Sequence, residues 1–486
     1  MGKLLHAEEG TPLADLLNSY GIEFPCGGRG TCGRCLVRLL EGEIPLTPFH
    51  RLRLRELGVP DDWRLACQSN CFSDMVLELE QRDPIILAGD KAFDFTPREG
   101  TGIAVDLGTT TLVAQLLDLQ NGQVLAAERA MNPQTRYGSD LVTRLQAAME
   151  GKSDLLTRMI REKVGELVAA VSAGHSIQPI RVSMVGNTVM HHLFCGYDVR
   201  PLSFYPFESP HMEAVRFSTG ELGWDPENGE LCFYPSIGSY VGSDILAGIF
   251  ATGMHRKEGY SVLVDLGTNG EIVIGNRERM VAASTAAGPA FEGARISRGM
   301  VAATGAISSV ELLGGEFRCH VIGNTAPAGI CGSGLTDAVS AFIRSGRIGQ
   351  FGEILSGEEA IEITPGIWLT QRDIQEFQLA KAAIAAGIRI GMDRLGIGRD
   401  EVEAVYLAGG FGYYMDPLNV VRVGMLDFPV EIMHRAGNTA LLGSKVFLFQ
   451  EMEEILPVLE KISVIQLESA PGFQDIFVEE MIFPEP

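Results

Sequence analysis

The sequence lacks any apolar run of about 18 residues, the length a membrane-spanning helix needs, and its start carries no basic segment leading into an apolar one. Positive charge is also scarce. Against 62 Asp and Glu there are only 39 Lys and Arg in 486 residues, a formal charge of −23. Such a balance argues against binding a phosphate backbone or an anionic lipid surface, so neither nucleic acid nor a membrane is expected as a partner. No G-x-G-x-x-G follows a strand, which removes nicotinamide binding. The phosphate loop of P-loop enzymes is missing as well: Gly151-Lys-Ser153 echoes its end, but Gln146 stands where its first glycine belongs, and the segment reads as a loop. Paired zinc knuckles are absent, because Cys32 and Cys35 form the one short knuckle in the N-terminal region.

What the chain does have begins with Phe24-Pro-Cys-Gly-Gly-Arg-Gly-Thr-Cys-Gly-Arg-Cys35, a C-x5-C-x2-C loop followed by Cys67 in Arg64-Leu-Ala-Cys-Gln68. Three clustered thiolates plus one distant partner are what a [2Fe–2S] centre of the ferredoxin type requires. The interleaved glycines leave backbone N–H groups free to approach sulfur. Cys71 competes with Cys67 for the fourth place, and the Leu-Ala-Cys-Gln context favours Cys67. The metal ligands expected are therefore Cys26, Cys32, Cys35 and Cys67. Strands at 3–7, 36–40 and 75–79 and a helix from about 12 to 19 fit a β-grasp module over 1–82, α+β in class. The extra first strand usual in β-grasp ferredoxins is missing, which implies a trimmed module or a late start. Nine cysteines, free thiols and no export signal place the protein in a reducing cytoplasm. Cys195, Cys232, Cys319 and Cys331 read as buried small residues. Of His191 and His192, one should be packed and the other exposed, since neighbours on a helix diverge by about 100°.

A linker is expected over 83–99, with the apolar 85–88 pinned to a neighbour. Beyond it strands alternate with helices, at 140–149, 155–170 and 244–252. Val-Asp-Leu-Gly-Thr occurs identically at 105–109 and 264–268, each time inside a strand–turn–strand frame. A repeat on this scale argues for an α/β fold of two similar lobes, at 100–255 and 256–486. The turn's glycine lets backbone approach a phosphate, its Thr and amides donate to phosphate oxygens, and an Asp at the strand end holds Mg²⁺ through water. A third element, Ala404-Val-Tyr-Leu-Ala-Gly-Gly-Phe-Gly412, is a strand entering a Gly-rich turn that can lie against a nucleoside.

The trio resembles the phosphate-1, phosphate-2 and adenosine motifs of the acetate/sugar kinase, actin and chaperone ATPase superfamily. That resemblance implies Asp106, Gly108, Thr109 and Thr110 at one phosphate site and Asp265, Gly267, Thr268 and Asn269 at the other. It puts Gly409, Gly410 and Gly412 beside the nucleoside, with ATP and Mg²⁺ as ligands and Asp106 and Asp265 as the catalytic, metal-side carboxylates. Gly288-Pro-Ala-Phe-Glu-Gly293 resembles a cleft segment in which Glu292 orients water, a surface turn being the competing reading. Gly329–Leu335 is read equally well as a phosphate-side loop or a loop-to-helix turn.

Joining a ferredoxin to such an ATPase has a physical logic. A plant-type centre sits at about −400 mV, and an acceptor about 100 mV lower would be reduced to roughly one part in fifty, since tenfold is ~59 mV per electron. Nucleotide-driven closure can tilt that balance by binding the acceptor protein differently in each state. Over 1–82 and 100–450 the chain resembles the reductive activators of corrinoid proteins, a likeness that includes Val185-Gly-Asn-Thr-Val-Met-His-His-Leu-Phe194, Asn132-Pro-Gln134 and Ala440-Leu-Leu-Gly443. The family implies ATP-dependent reduction of inactive Co(II) to Co(I), an upstream low-potential electron donor, and leaves a homodimer open. Some relatives carry a middle insert where this chain has the short 83–99 linker, which points toward a corrinoid methyltransferase component as partner. Competing readings are an activator of another low-potential metalloenzyme such as a dehydratase, a small-molecule kinase with a regulatory centre, and a redox-sensing chaperone-like ATPase.

Overall fold

The computed structural model describes residues 2–5, 10–18, 35–56, 58–71, 74–78, 93–138, 140–175, 181–224, 229–267, 269–288, 290–293, 295–412 and 414–485. Cys26, Cys32, Thr268 and the apolar 85–88 stretch lie outside them. In the N-terminal module, β1 (Gly2–Leu5), β2 (Leu36–Glu41), β3 (Trp63–Leu65) and β4 (Met75–Glu78) form an antiparallel sheet in the order β1-β4-β2-β3. Met75 and Leu77 are buried at the spacing of two that the pleat dictates. The helix Leu13–Asn18 packs Leu13, Ala14 and Leu17, one helical face, into the core that also holds Cys35 and Cys71, with Cys67 at its edge. The short helix Pro48–Glu56 has no counterpart in the sequence reading. Four of its nine residues are His or Arg, and its apolar pattern is too sparse to show a period.

Two six-stranded sheets follow. The first contains β5 (Thr101–Leu107), β6 (Thr111–Asp118), β7 (Val124–Met131), β8 (Arg181–Gly186), β9 (Val215–Ser218) and β10 (Glu230–Phe233) in the order β7-β6-β5-β8-β10-β9. The second begins with β11 (Tyr260–Leu266), β12 (Gly270–Gly275) and β13 (Met280–Thr285). Two small sheets are then inserted, β14 (Ala306–Leu313), β15 (Glu316–Val321) and β16 (Gly329–Ile330), then β17 (Ala360–Thr364) and β18 (Ile367–Thr370). β19 (Val402–Ala408), β20 (Met433–Gly437) and β21 (Ile462–Val464) complete the order β20-β19-β11-β12-β13-β21. Each sheet is an antiparallel three-strand meander whose first strand takes on two further parallel strands. The sequence repeat is thus a repeat of topology. β5 and β11 are central and covered on both faces, which is why they read as nearly unbroken apolar runs.

The helix after the outer of the two added parallel strands, Ser243–Thr252 after β10 in one lobe and Thr439–Phe447 after β20 in the other, crosses its counterpart between the lobes. Approach is closest at Gly443, where a Cβ would stand 2.0 Å from the Ala247 carbonyl oxygen. Ser444 Oγ also donates to the Ser183 carbonyl at 2.9 Å, tying the second helix to β8 of the first lobe. Glycine is therefore required at 443 by packing, and the two helices form the contact that joins the lobes. Of the linker, Phe93 and Phe95 pack on Phe449, with Phe95 and Phe449 rings 4.4 Å apart.

Two expectations are corrected. His191 and His192 are both buried, because their helix, Thr188–Cys195, is enclosed on opposite sides. His192 bonds Thr188 O at 2.8 Å and Ser209 Oγ at 2.6 Å, while the His191 ring meets the Phe233 ring at 4.8 Å. Burial, then the neighbouring His192, holds His191 down at about 4. Cys232 and Cys331 are buried as expected, but Cys195 and Cys319 are only partly so.

Candidate functional site

The two hairpin turns meet across the cleft between the lobes. In the first, Gly108 has no room for a side chain, since a Cβ would lie 2.5 Å from the Thr111 carbonyl oxygen. Three outside groups hold this turn. Asn132 Nδ2 donates to Gly108 O at 2.9 Å, Arg144 donates to Thr109 O, and Asn187 Nδ2 donates to Thr109 Oγ1 at 2.9 Å. In the second, Gly267 N donates to Asn269 O at 3.0 Å, and a Cβ on Gly267 would meet only that oxygen, at an ordinary 3.7 Å. The third element closes on the second: β19 runs parallel to β11 with Ala408 opposite Asp265. Gly409 has φ +81°, and a Cβ there would lie 2.6 Å from Asp265 Oδ1. Gly410 faces open space, and a Cβ on Gly412 would lie 3.3 Å from the Leu407 backbone. The turns at 108 and 409 therefore demand glycine, whereas 267 and 410 leave room toward the cleft.

Four carboxyl groups converge there: Asp106, Asp244, Asp265 and Glu271. Asn438, at the N-cap of the helix Thr439–Phe447, donates to Asp106 Oδ2 at 2.8 Å. Burial lifts Asp106 to about 6, that bond opposing the rise. Burial and then the Asp106 charge lift Asp265 to about 7. Burial and then the Asp265 charge lift Asp244 to about 8. Glu271 is raised well above its ordinary range by burial, then by Asp244 and Asp265. Each of the four keeps some exposure to the cleft. Like charges this close oppose folding unless something positive joins them. Asp265 and Glu271 even stand directly opposite in the β11–β12 ladder, where the first lobe pairs Asp106 with the neutral Val113.

The pH consequence has a definite sign. These groups have folded-state pKa values above the unfolded ones, so their contribution to stability is intact below about pH 4. It is lost as pH rises through about 6 to 8, where the three aspartates titrate in the folded protein. Melting of the nucleotide-free protein should therefore fall between pH 6 and 8, and the gain on adding Mg²⁺ with ADP should be larger at pH 8. Equal gains at both pH values, read by calorimetry, would contradict this.

Asp244 and Glu271 escaped the sequence reading. Asp244 was visible only as the opening of a helix, yet Ser243–Thr252 is the topological twin of the helix that Asn438 caps, and the internal repeat could have paired the two. Glu271 carried no signal, being one acidic residue on a strand. Glu292 lies within electrostatic reach of Arg144, which faces the first phosphate turn. Gly329–Leu335 is a strand passing into the helix Gly332–Arg344, with Gly332 and Gly334 pressed against the carbonyls of Phe291 and Ile307. Gly151 has φ +92° at a kink between two helical segments.

In the N-terminal module Cys35 Sγ and Cys67 Sγ face each other at 3.3 Å, neither of them in a disulfide. Cys71 is fully buried and its thiol is pushed up by burial. Two adjacent thiols at the end of a Gly-rich loop are a donor pair of suitable chemistry for iron. The acid-lined cleft with its backbone turns suits a Mg²⁺-nucleotide. Among the described residues, no group of three or more His, Cys, Asp or Glu is arranged to hold a metal directly, and no helix is long and apolar enough to cross a membrane.

Comparison with known proteins agrees with this layout. A 2Fe-2S iron-sulfur cluster binding domain matches residues 2–71, the RACo middle region matches 101–257, and the C-terminal domain of RACo, the ASKHA domain, matches 259–486. The corrinoid activation enzyme RamQ of Eubacterium limosum is 32% identical over 85% of this chain and 76% of its own length. The [Co(II) methylated amine-specific corrinoid protein] reductase of Methanosarcina barkeri is 25% identical over 79% and 77%. A solved structure of a reductive activator for a corrinoid, iron-sulfur protein superposes with a TM-score of 0.71 at 26% identity, covering 99% of this chain and 97% of that one.

Proposed function

Since the chain belongs to the family of reductive activators of corrinoid proteins, we propose that it uses ATP to deliver an electron to a corrinoid protein, returning inactive Co(II) to Co(I). One observation carries the reading: a ferredoxin thiol pair and an acid-lined nucleotide cleft occupy one chain whose whole length follows that of a reductive activator. In the proposal the units are 1–82, a linker over 83–99, and lobes over 100–255 and 256–486. The acceptor is the corrinoid component of a methyltransferase system, a choice supported by the name of the Methanosarcina relative.

Cys26, Cys32, Cys35 and Cys67 would hold the [2Fe–2S] centre, which when bound supplies a one-electron store at low potential. Cys67 is preferred to Cys71 because it stands beside Cys35 at the edge of the core. In the cleft, Asp106 and Asp265 would hold Mg²⁺ through its water shell, and Gly108, Thr109, Thr110, Thr268 and Asn269 would receive the phosphates. Gly267, Gly409, Gly410 and Gly412 would shape the walls of the site, the last three beside the nucleoside. Asp244 is assigned the attacking water. Its carboxyl lies near neutrality because of burial and Asp265, and a positive ligand beside Asp265 would release it as a base. A closed cleft and an open one present different surfaces, so the acceptor can bind one state better and the nucleotide can bias its reduction. A separate low-potential donor refills the centre.

The test mixes reduced holoprotein, Mg²⁺-ATP and a cob(II)alamin-carrying corrinoid protein and follows Co(I) by absorbance. ATP-dependent Co(I) is expected. Its absence with several corrinoid carriers would overturn the proposal.

A further inference from the structure

The phosphate turn at 108–110 is gripped from behind by one segment, and the far side of that segment touches the N-terminal module. Asn132 donates from Nδ2 to Gly108 O at 2.9 Å and from its backbone N to Thr110 O at 2.8 Å. Between those two carbonyls, Thr109 O accepts from Arg144 Nη2. Three successive carbonyls of the turn are thus bound by two residues twelve positions apart, Asn132 through its side chain and its backbone N–H and Arg144 through its guanidinium. The segment joining them is stiff. Asn132 Oδ1 accepts from Gln134 N at 3.0 Å, Thr135 Oγ1 donates to Asn132 O at 2.7 Å, and Gln134 Nε2 donates to Leu156 O at 2.9 Å. Arg144 closes the loop by donating through Nε to Gly138 O at 2.8 Å. Gly138 lies so near Thr143 that a Cβ would fall 2.2 Å from its Oγ1.

The turn Pro133–Tyr137 at the outer end of this segment lies beside the helix Leu13–Asn18 of the N-terminal module, with Cα atoms within 8 Å of each other. That helix in turn packs on Ala66–Gln68, the turn that carries Cys67, and shares a core with Cys35. A continuous path of close packing therefore runs from the carbonyls of the phosphate turn to the thiol pair. Arg144 is its least replaceable member. It is completely buried, and its hydrogen bonds among the described residues go to neutral acceptors: Thr109 O, Gly138 O, Gln134 Oε1 and Met190 Sδ. Burial pulls it down to about 9, with Asp140 and, across the cleft, Glu292 opposing the fall. A buried cation whose described hydrogen bonds go to neutral acceptors at a phosphate turn is sensitive to any anion arriving on the other side of that turn.

We propose that Asn132–Arg144 is the relay by which occupancy of the phosphate turn sets the seating of the N-terminal module, with Arg144 as its positioning residue. This rests on the reading of the cleft as a nucleotide site and of the module as an iron–sulfur carrier. Nucleotide binding shifts the carbonyls at 108–110, the stiff segment carries the shift to Pro133–Tyr137, and the helix Leu13–Asn18 follows with the Cys67 turn. Such a path couples the two sites through elements that move as units.

Hydrogen exchange of the holoprotein, with and without Mg²⁺ and a non-hydrolysable ATP analogue, tests the relay. In the wild type the analogue should slow exchange at 101–113 and also change it at 11–18 and 66–71. The amides of Leu13 and Cys71 are good reporters because each bonds within the module, to Ser69 O and Thr11 O at 2.8 Å. Arg144→Lys should keep the response at 101–113 and lose that at 11–18 and 66–71, with analogue affinity reduced no more than about tenfold, since one donor remains. Tyr137→Ala removes a ring that packs on the lobe's own core and so loosens the outer end of the segment without entering the phosphate turn. It should quicken exchange at 11–18 with or without analogue and abolish the difference between them. If the wild type shows no response at 11–18, or if both variants respond as the wild type does, the relay is wrong. Failure of the function itself would appear elsewhere, as absent Co(I) formation with a normal exchange pattern.

Discussion

Asp244→Asn should slow ATP hydrolysis by about 10²–10⁴-fold, the range for removing a positioned general base, while leaving Mg²⁺-ADP affinity near that of the wild type. Asn preserves the volume and keeps an oxygen for the Ile245 amide, which Asp244 Oδ1 accepts at 2.8 Å. The local helix start should therefore survive. What disappears is the charge, and with it the base. In kinetic terms this is ~3–5 kcal/mol of barrier, at about 1.4 kcal/mol per factor of ten. The same substitution removes one of four crowded carboxyls, so the nucleotide-free protein should melt higher at pH 8 than the wild type. Lower activity combined with higher stability cannot come from damage to the fold. Phosphate release and calorimetry measure the pair. Turnover within about threefold of wild type would mean that another group handles the water, and Glu271 would be the next to examine.

Cys67→Ser should empty the N-terminal module of iron and abolish Co(I) formation, with nucleotide binding and its thermal effect retained. Serine keeps the shape but supplies a hard, weakly acidic hydroxyl where a thiolate ligand is needed. Because Cys67 sits at the edge of the module's core and is partly exposed, the fold should tolerate the change. Cys71→Ser is the matched control. That thiol is wholly buried in the core, so a serine there should cost about 1–3 kcal/mol of stability for a hydroxyl taken from water but leave the iron in place. Iron and acid-labile sulfide content decide between them. Loss of iron in Cys71→Ser and not in Cys67→Ser would reverse the ligand choice.

The family resemblance, the internal repeat and the glycine turns were all legible in the sequence, and for one reason. Each is a local pattern whose chemistry is set by neighbours in the chain. Val-Asp-Leu-Gly-Thr specifies a buried strand entering a tight turn wherever it stands, and its second occurrence announced a second lobe. The thiol spacing of Cys32 and Cys35, with glycines around it, announced a metal loop. His191 and His192 show the limit of such reasoning. Helical geometry does send adjacent side chains apart, but it cannot say that both directions are covered.

Tertiary structure decided what depends on separate segments meeting. Asp244 became part of the site because the helix Ser243–Thr252 crosses its twin beneath the cleft, with Gly443 allowing the contact. Asn438 and Asp106 stand 332 positions apart in the sequence, and they bond at 2.8 Å. Carboxyl crowding, and the raised pKa values it brings, arises from summed proximity across β5, β11, β12 and that helix, which no single stretch encodes. Local sequence determined which turns could accept phosphate and which thiols could accept iron. The packing of the two lobes determined which acids crowd together in the cleft and, by the relay proposed above, how the nucleotide would reach the thiols.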